Sequence, residues 1–173
     1  MRLRGSSGFG ISEVMNDAGL THGGFYAHFP SREALMMAAL ESAFTGLDPS
    51  FLDTGVESTG SARLGHFIDR YLSPDHRDHP EGGCPLVALA SDLPRQSAAV
   101  RAVYDTGLRR MIDRVSDFLG DHPDLQGEAM AASIVAEMVG AVSLSRSVAE
   151  PGLSDQILFQ CRASLKARLN LPT

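Results

Sequence analysis

The stretch GISEVMNDAGLTHGGFYAHFPSREALMMAAL, residues 10–40, decides how this chain folds. Ile11, Val14, Met15 and Ala18 fall at helical spacing and make a short apolar stripe. Gly19 then stands where a helix ends in a left-handed cap, a conformation that glycine adopts without steric cost. The spacing predicts a second short helix, capped by Thr21 and running to about Phe29. Pro30 stops it, because proline disfavours helical backbone in the residue before it. Ser31 caps a third helix whose buried side carries Leu35, Met36, Ala39, Leu40, Ala43 and Phe44. Phe25 and Phe29, one turn apart, are expected to face a small core with Val14 and Leu20.

Two short helices joined by a tight turn at Gly19–Thr21 form a helix-turn-helix, the unit that seats its second helix in the major groove of DNA. The side of that helix away from the phenylalanines carries Gly23, Gly24 and Ala27. Glycine is a poor helix former. Its use here is to let the backbone approach a surface closely, while Thr21, His22, Tyr26 and His28 reach outward around it. The positive end of a helix at this place favours a phosphate.

Outward from this motif, nearly every segment reads as helix. Residues 45–61, TGLDPSFLDTGVESTGS, form a polar, glycine-bearing connector. Leu64, Phe67, Ile68, Tyr71 and Leu72 mark an amphipathic helix that Pro74 closes. A second connector, SPDHRDHPEGG at 73–83, leads into an apolar run and then the clearest stripe of the chain. Val100, Val103, Tyr104, Gly107, Leu108, Met111, Ile112, Val115, Phe118 and Leu119 keep helical spacing throughout. From Leu125 to Val148 the chain is apolar around much of its circumference, with Met130, Ile134, Val135, Met138, Val139 and Val142. A helix apolar on two faces needs two covers, its own core and a partner subunit. The last helix, near 154–170, turns Ile157, Leu158, Cys161, Leu165 and Leu169 inward and leaves Arg162, Lys166 and Arg168 exposed. With no strand alternation and no repeat, the fold class is all-α.

Composition narrows the function. Hydrophobic residues are 43% and charged residues 21% of 173, a soluble globular balance too apolar for a disordered chain. No apolar run is expected to reach the length of a membrane span, since ALMMAAL at 34–40 is closed by Glu41. The basic start MRLRG lacks the apolar stretch of a signal peptide. Cys84 and Cys161 are too few for a disulfide framework and suit a reducing cytoplasm, so a cytoplasmic protein with no membrane partner is expected. The net charge of −6 sits badly with nucleic-acid binding, which needs a cationic surface. The imbalance is uneven, however: Arg2, Arg4 and Arg32 outweigh Glu13 and Asp17 within residues 1–32, and the acidic excess lies beyond them. There is no nucleophile elbow, no HExxH and no phosphate loop, so no enzyme and no cofactor are expected.

In order and spacing, residues 10–40 resemble the heads of TetR (tetracycline-repressor) family regulators. Those heads carry an alanine-glycine-hydrophobic turn, a recognition helix ending in aromatics, and serine-lysine-glutamate at the next helix start. This chain has AGL at 18–20, FYAHF at 25–29 and SRE at 31–33, with Arg32 keeping the charge of the usual lysine. The resemblance implies a transcriptional repressor with a DNA-binding head at 1–44 and a helical ligand-binding and dimerisation body at 45–173. It implies that Thr21, His22, Gly23, Gly24, Tyr26, His28 and Arg32 meet double-stranded DNA. Tyr26 and Arg32 would chiefly contact phosphate, and His22 would read a base edge. The run HRDHPEGGCPLVALASDLPRQS, 76–97, is similar to a subset of such regulators that share a GCP turn before a central helix. In the family the last two helices of each subunit pair across a two-fold axis. A homodimer through the helices near 125–148 and 154–170 is therefore expected, with two heads one DNA turn apart on a palindromic operator. A small apolar effector between the long helices, against Met36, Phe67, Tyr104 and Met138, would release DNA to the extent that it prefers the conformation with misplaced heads.

Two departures from the family pattern bear on the head. Gly10 stands where the family has a threonine or serine cap that contacts phosphate, and only MRLRG takes the place of a full preceding helix. The head is expected to be N-terminally incomplete and this chain to bind DNA weakly. Nanomolar operator binding in a low-salt gel shift would contradict that.

Other classes stay open on the residues alone. One is a helical ligand-binding dimer without DNA binding. Another is a metal-binding helical protein: Asp75, His76, Asp78, His79 and Cys84 cluster in ten residues, and imidazole with thiolate suits zinc. Against it, His76 and His79 sit in a proline-bounded acidic stretch that reads as a solvated connector. Cys84, flanked by Pro85 and an apolar run, reads as a buried, inert thiol.

Overall fold

A computed structural model of the chain describes residues 1–6, 8–46, 60–120 and 127–172. Most of the connector expected at 45–61, and Leu125, lie outside the described residues. The described residues form α1 (Ile11–Asp17), α2 (Phe25–His28), α3 (Arg32–Thr45), α4 (Gly60–Tyr71), α5 (Pro74–Asp78), α6 (Pro85–Leu89), α7 (Ala98–Leu119), α8 (Gly127–Ser147) and α9 (Pro151–Arg168). Two 3-10 turns, His22–Gly24 and Leu93–Arg95, complete the order, and residues 2–6 form turns. The all-α class read from the periodicity is the class observed.

Serine side chains set several helix starts. Ser31, Ser73 and Ser97 accept a backbone N–H from three residues on, at 3.1, 3.1 and 3.3 Å, and open α3, α5 and α7. Pro74 occupies the first turn of α5 instead of merely ending α4, because its missing N–H costs nothing at a helix start.

Helix α8 is the centre of the body. It packs between α7 and α9, with α5 and α6 also against it, while α4 lies against α7 and α9. Ile134, Met138 and Val142 on α8 have no exposed surface and join Phe67 and Ile68 of α4, Val115 of α7 and Leu165 of α9 in one core. By length and composition, Glu128–Ser147 is long and apolar enough to cross a bilayer, which corrects the expectation that no run reaches that length. Its apolarity is used in this packing. Three large apolar side chains on α8 and α9 nevertheless face outward: Leu144, Leu153 and Phe159 are 60%, 41% and 56% exposed.

One charge expected outside is inside. Lys166 is buried, its Nζ 2.6 Å from the Asp69 carboxylate of α4. Gly65 leaves room beside it, since a methyl group there would reach 3.9 Å from the Lys166 stem. An apolar stem that packs while its ammonium finds a carboxylate explains why periodicity alone misplaces this residue.

The stretch read as a solvated connector at 73–83 is ordered around a buried histidine. His76 Nδ1 lies 2.7 Å from the Tyr71 carbonyl, and Nε2 accepts the Cys84 backbone N–H at 3.1 Å, so Nδ1 carries the proton. The Tyr71 and His76 rings meet edge to face at 4.7 Å. Arg146 of α8 donates to the carbonyls of His76 and Arg77, at 2.5 and 2.9 Å, satisfying the end of α5. Gly83 fits closely here, since a Cβ would stand 3.0 Å from the His76 ring and press on it. Burial lowers the His76 pKa to about 4, opposed by its bond to the Tyr71 carbonyl.

This depression makes stability fall with acid. Above about pH 6.5 the ring is neutral in both folded and unfolded chains. Between there and about pH 4 only the unfolded chain takes up the proton, so the folded state loses up to about 3 kcal/mol. Urea midpoints measured from pH 7 to 4.5 should drop steeply, and His76→Gln, though less stable at pH 7, should flatten that drop.

Candidate nucleic-acid interface

The head is built on Phe25. Its ring is fully buried with Met15 and Leu35, and Phe9, Ile11, Val14 and Phe29 pack around them. Phe25 meets Tyr26 edge to face at 5.1 Å and lies 5.9 Å from Phe29. The turn before it is a double glycine-type cap: Gly19 has φ 70°, its N–H bonds to the Asn16 carbonyl at 3.0 Å, and the Leu20 N–H bonds to the Met15 carbonyl at 2.8 Å. Leu20 is 43% exposed, which corrects its placement in the head core. The turn uses its backbone, while Met15, Phe25 and Leu35 fill the small core.

The recognition element is shorter than its pattern predicts. His22–Gly24 is a 3-10 turn and only Phe25–His28 is α-helical. Thr21 precedes the turn but makes no side-chain cap, unlike Ser31. Thr21, His22, Gly23, Tyr26 and His28 are exposed and Gly24 is half-buried, so the structure brings these six expected contacts onto one short element. Tyr26 is 66% exposed, a large ring held outward by a buried neighbour. A Cβ on Gly23 would meet nothing within 4 Å, so no packing inside the chain asks for glycine there. An outside surface approaching the backbone would. No carboxylate occurs in residues 18–31.

Arg32 is exposed but engaged. One of its terminal nitrogens donates to the carbonyls of Ser6 and Phe9, at 3.2 and 3.3 Å, and its guanidinium lies 5.0 Å above the Phe9 ring. Gly10 is the N-cap of α1 and offers no side-chain acceptor.

The head is tied to the body by contacts that the sequence pattern did not signal. The Ser6 N–H donates to the Asp92 carboxylate at 2.6 Å, Gln96 donates to the Ser6 hydroxyl at 3.1 Å, and Glu33 bonds to Ser97. Beneath them Met36 and Leu40 of α3 pack with Leu89, Leu93 and Val100.

The four residues expected at an effector do not line one cavity. Phe67 and Met138 lie in the main core, Met36 in the junction, and half-buried Tyr104 touches both clusters and donates to the Leu86 carbonyl at 3.1 Å. A half-open cavity of about 530 Å³ lies beside them, walled by Phe44, Gly107, Met111 and Phe118 with Arg63, Arg110, Asp113, Arg114 and Asp117. The metal reading loses its ligands: both His76 nitrogens are taken, and burial pushes the Cys84 thiol up. Among the described residues, no group of three or more His, Cys, Asp or Glu is placed to hold a metal.

A helix-turn-helix head carried on a helical bundle defines the class. Residues 1–39 match the profile of bacterial regulatory proteins of the tetR family, and residues 60–158 match that of the tetracyclin repressor-like C-terminal domain. The chain belongs to the TetR family. It is 27% identical over 118 residues to the HTH-type transcriptional repressor NemR of Escherichia coli strain K12, covering 67% of this chain and 59% of that protein; the NemR of strain O6:H1 matches equally. The alignment thus spans less than two thirds of these curated relatives. The crystal structure of E. coli NemR in its reduced form superposes with a TM-score of 0.80 at 23% identity, over 95% of this chain and 88% of that one. A TetR/AcrR family member of known structure gives 0.72 at 23% identity, over 94% and 87%.

Two neighbouring substitutions separate fold from contact. Phe25→Ala should cost about 3–5 kcal/mol of head stability and abolish DNA binding. Tyr26→Ala should leave the melting temperature nearly unchanged yet weaken DNA binding about tenfold, as for a lost phosphate contact. Thermal melts with fluorescence anisotropy on labelled DNA read both.

Proposed function

We propose that this chain is a cytoplasmic transcriptional repressor that binds a palindromic operator as a homodimer and is released by a small effector. The observation that carries this reading is the recognition element itself. Phe25 is buried while Thr21, His22, Tyr26 and His28 are exposed around the bare backbone of Gly23 and Gly24. Residues 1–44 serve as the DNA-binding head and 45–173 as the ligand-binding and dimerisation body. Gly23 and Gly24 admit the DNA backbone, Tyr26 and Arg32 hold phosphate, and His22 reads a base edge, with Thr21 and His28 beside it.

The partner is a second copy of this chain. Leu144 on α8 with Leu153 and Phe159 on α9 are exposed apolar side chains on that pair of helices, which a two-fold related pair would cover to make a four-helix bundle. An effector that loosens the packing of Met36 and Tyr104 would act where α3 meets α7, and one that reaches Phe67 and Met138 would act in the main core. The NemR relatives are repressors by name, which favours repression over activation.

Light scattering should give a dimer for the parent chain and a monomer for Leu144→Glu with Phe159→Glu. The double variant should keep its helical content and lose specific DNA affinity by on the order of a hundredfold, since both half-sites can no longer be held at once. DNA fragments selected by the parent chain should show two half-sites about 34 Å apart. A monomeric parent chain, or selection that enriches no sequence, would sink the proposal.

A further inference from the structure

We infer that Asp92 of the body is a positioning residue for Arg32 of the head, acting through Ser6 to hold that guanidinium ready for DNA phosphate. This rests on the reading of Arg32 as a phosphate contact. An exposed arginine is long and mobile, and one held in place before binding loses less freedom when it meets its partner. Arg32 opens α3 and is held by three contacts. One terminal nitrogen donates to the carbonyls of Ser6 and Phe9, at 3.2 and 3.3 Å, and the guanidinium stacks 5.0 Å above the Phe9 ring. A planar fork can do this where the compact ammonium of lysine cannot.

Ser6 is the joint. It is buried, and head and body grip it from opposite sides. Its N–H donates to Asp92 Oδ2 at 2.6 Å and its hydroxyl accepts from Gln96 Nε2 at 3.1 Å, while its carbonyl accepts from Arg32. The Asp92 carboxylate is itself fixed. Its Oδ1 takes Arg95 at 2.9 Å, and the Ser6 N–H holds the carboxyl below the usual carboxylate range. Asp92 also precedes the 3-10 turn Leu93–Arg95, so the body sets its place. Gly5 lets the two parts meet: its φ of 72° is left-handed, and a Cβ there would stand 2.6 Å from Asp92 Oδ2.

Charge and position pull in opposite directions at Asp92. By charge alone a carboxylate on a DNA-binding protein opposes phosphate, so removing it should tighten binding. By position it steadies Arg32, so removing it should weaken binding.

Fluorescence anisotropy of the full chain on a labelled duplex that it selects reads that sign. Asp92→Ala should weaken binding about fivefold, as for a lost hydrogen bond. Asp92→Asn gives up the Arg95 ion pair but keeps an acceptor for the Ser6 N–H, and should bind within about twofold of the parent. Gly5→Ala, which pushes Ser6 off Asp92 and removes no charge, should repeat the loss. In an Arg32→Gln chain neither Asp92→Ala nor Gly5→Ala should weaken binding further. In the chain without DNA, NMR relaxation of the Arg32 Nε–H should show an ordered side chain in the parent and in Asp92→Asn, and a mobile one in Asp92→Ala and Gly5→Ala. Unchanged or tighter binding by Asp92→Ala, a loss that persists without Arg32, or an Arg32 side chain equally ordered in every chain would overturn the inference. A parent chain that selects no DNA would refute the regulatory reading, and the NMR comparison would still decide whether Asp92 holds Arg32.

Discussion

Helix α3 must satisfy two cores at once, and the rest of the architecture hangs on that constraint. Leu35 closes the head over Phe25 and Met15, while Met36 and Leu40 on the adjacent face pack against Leu89, Leu93 and Val100 of the body. Because 14 helical residues form a rigid rod about 21 Å long, the head cannot turn without shifting the body contacts at Phe44. The polar ties at Ser6, Asp92 and Gln96 lie beside this rod and hold the same two parts. A family of DNA-binding proteins that answer to ligands needs such a mechanical link, since coupling travels through packed elements with discrete arrangements.

The body gives that rod something firm to push on. Helix α8 is enclosed by four neighbours, and its Arg146 reaches out of the core to hold the carbonyls at the end of α5. His76 and Lys166 extend this polar bracing, both buried, His76 with both ring nitrogens bonded and Lys166 with its ammonium on the Asp69 carboxylate. Buried polar groups are tolerated only when their partners are in place, so these sites fix the relative positions of α4, α5, α8 and α9. The cavity at Phe44, walled by both apolar and charged side chains, lies away from this bracing, where α7 offers glycine in place of a side chain.

Much of the fold was legible from periodicity and caps. The stripe from Val100 to Leu119 became α7, Ser31 capped α3, and Gly19 ended α1 in the left-handed conformation. The recognition element was legible too, since alternation of buried Phe25 with exposed Tyr26 follows from helical spacing. What failed to show were residues whose environment comes from distant segments. Leu20 reads as core yet is exposed, Lys166 reads as exposed yet is buried, and His76 reads as a loop histidine yet lies in the interior. Lys166 and His76 were misplaced because local pattern says nothing about a carboxylate or carbonyl arriving from another helix, and Leu20 because Met15, Phe25 and Leu35 already fill the small head core.

The sequence by itself therefore determined the helices, the turn at Gly19–Thr21 and the set of side chains that face outward around Gly23. Those features are local: they depend on caps, glycine backbone freedom and a period of 3.6 residues. Only the tertiary structure decided that His76 is locked between Tyr71 and Cys84, that Asp92 ties down Ser6, and that Phe44, Gly107 and three arginines surround one cavity. The tie of Asp92 to Ser6 and the cavity depend on residues far apart in the chain, and the His76 site, though its partners are five and eight residues away, depends on burial that only the packed helices supply.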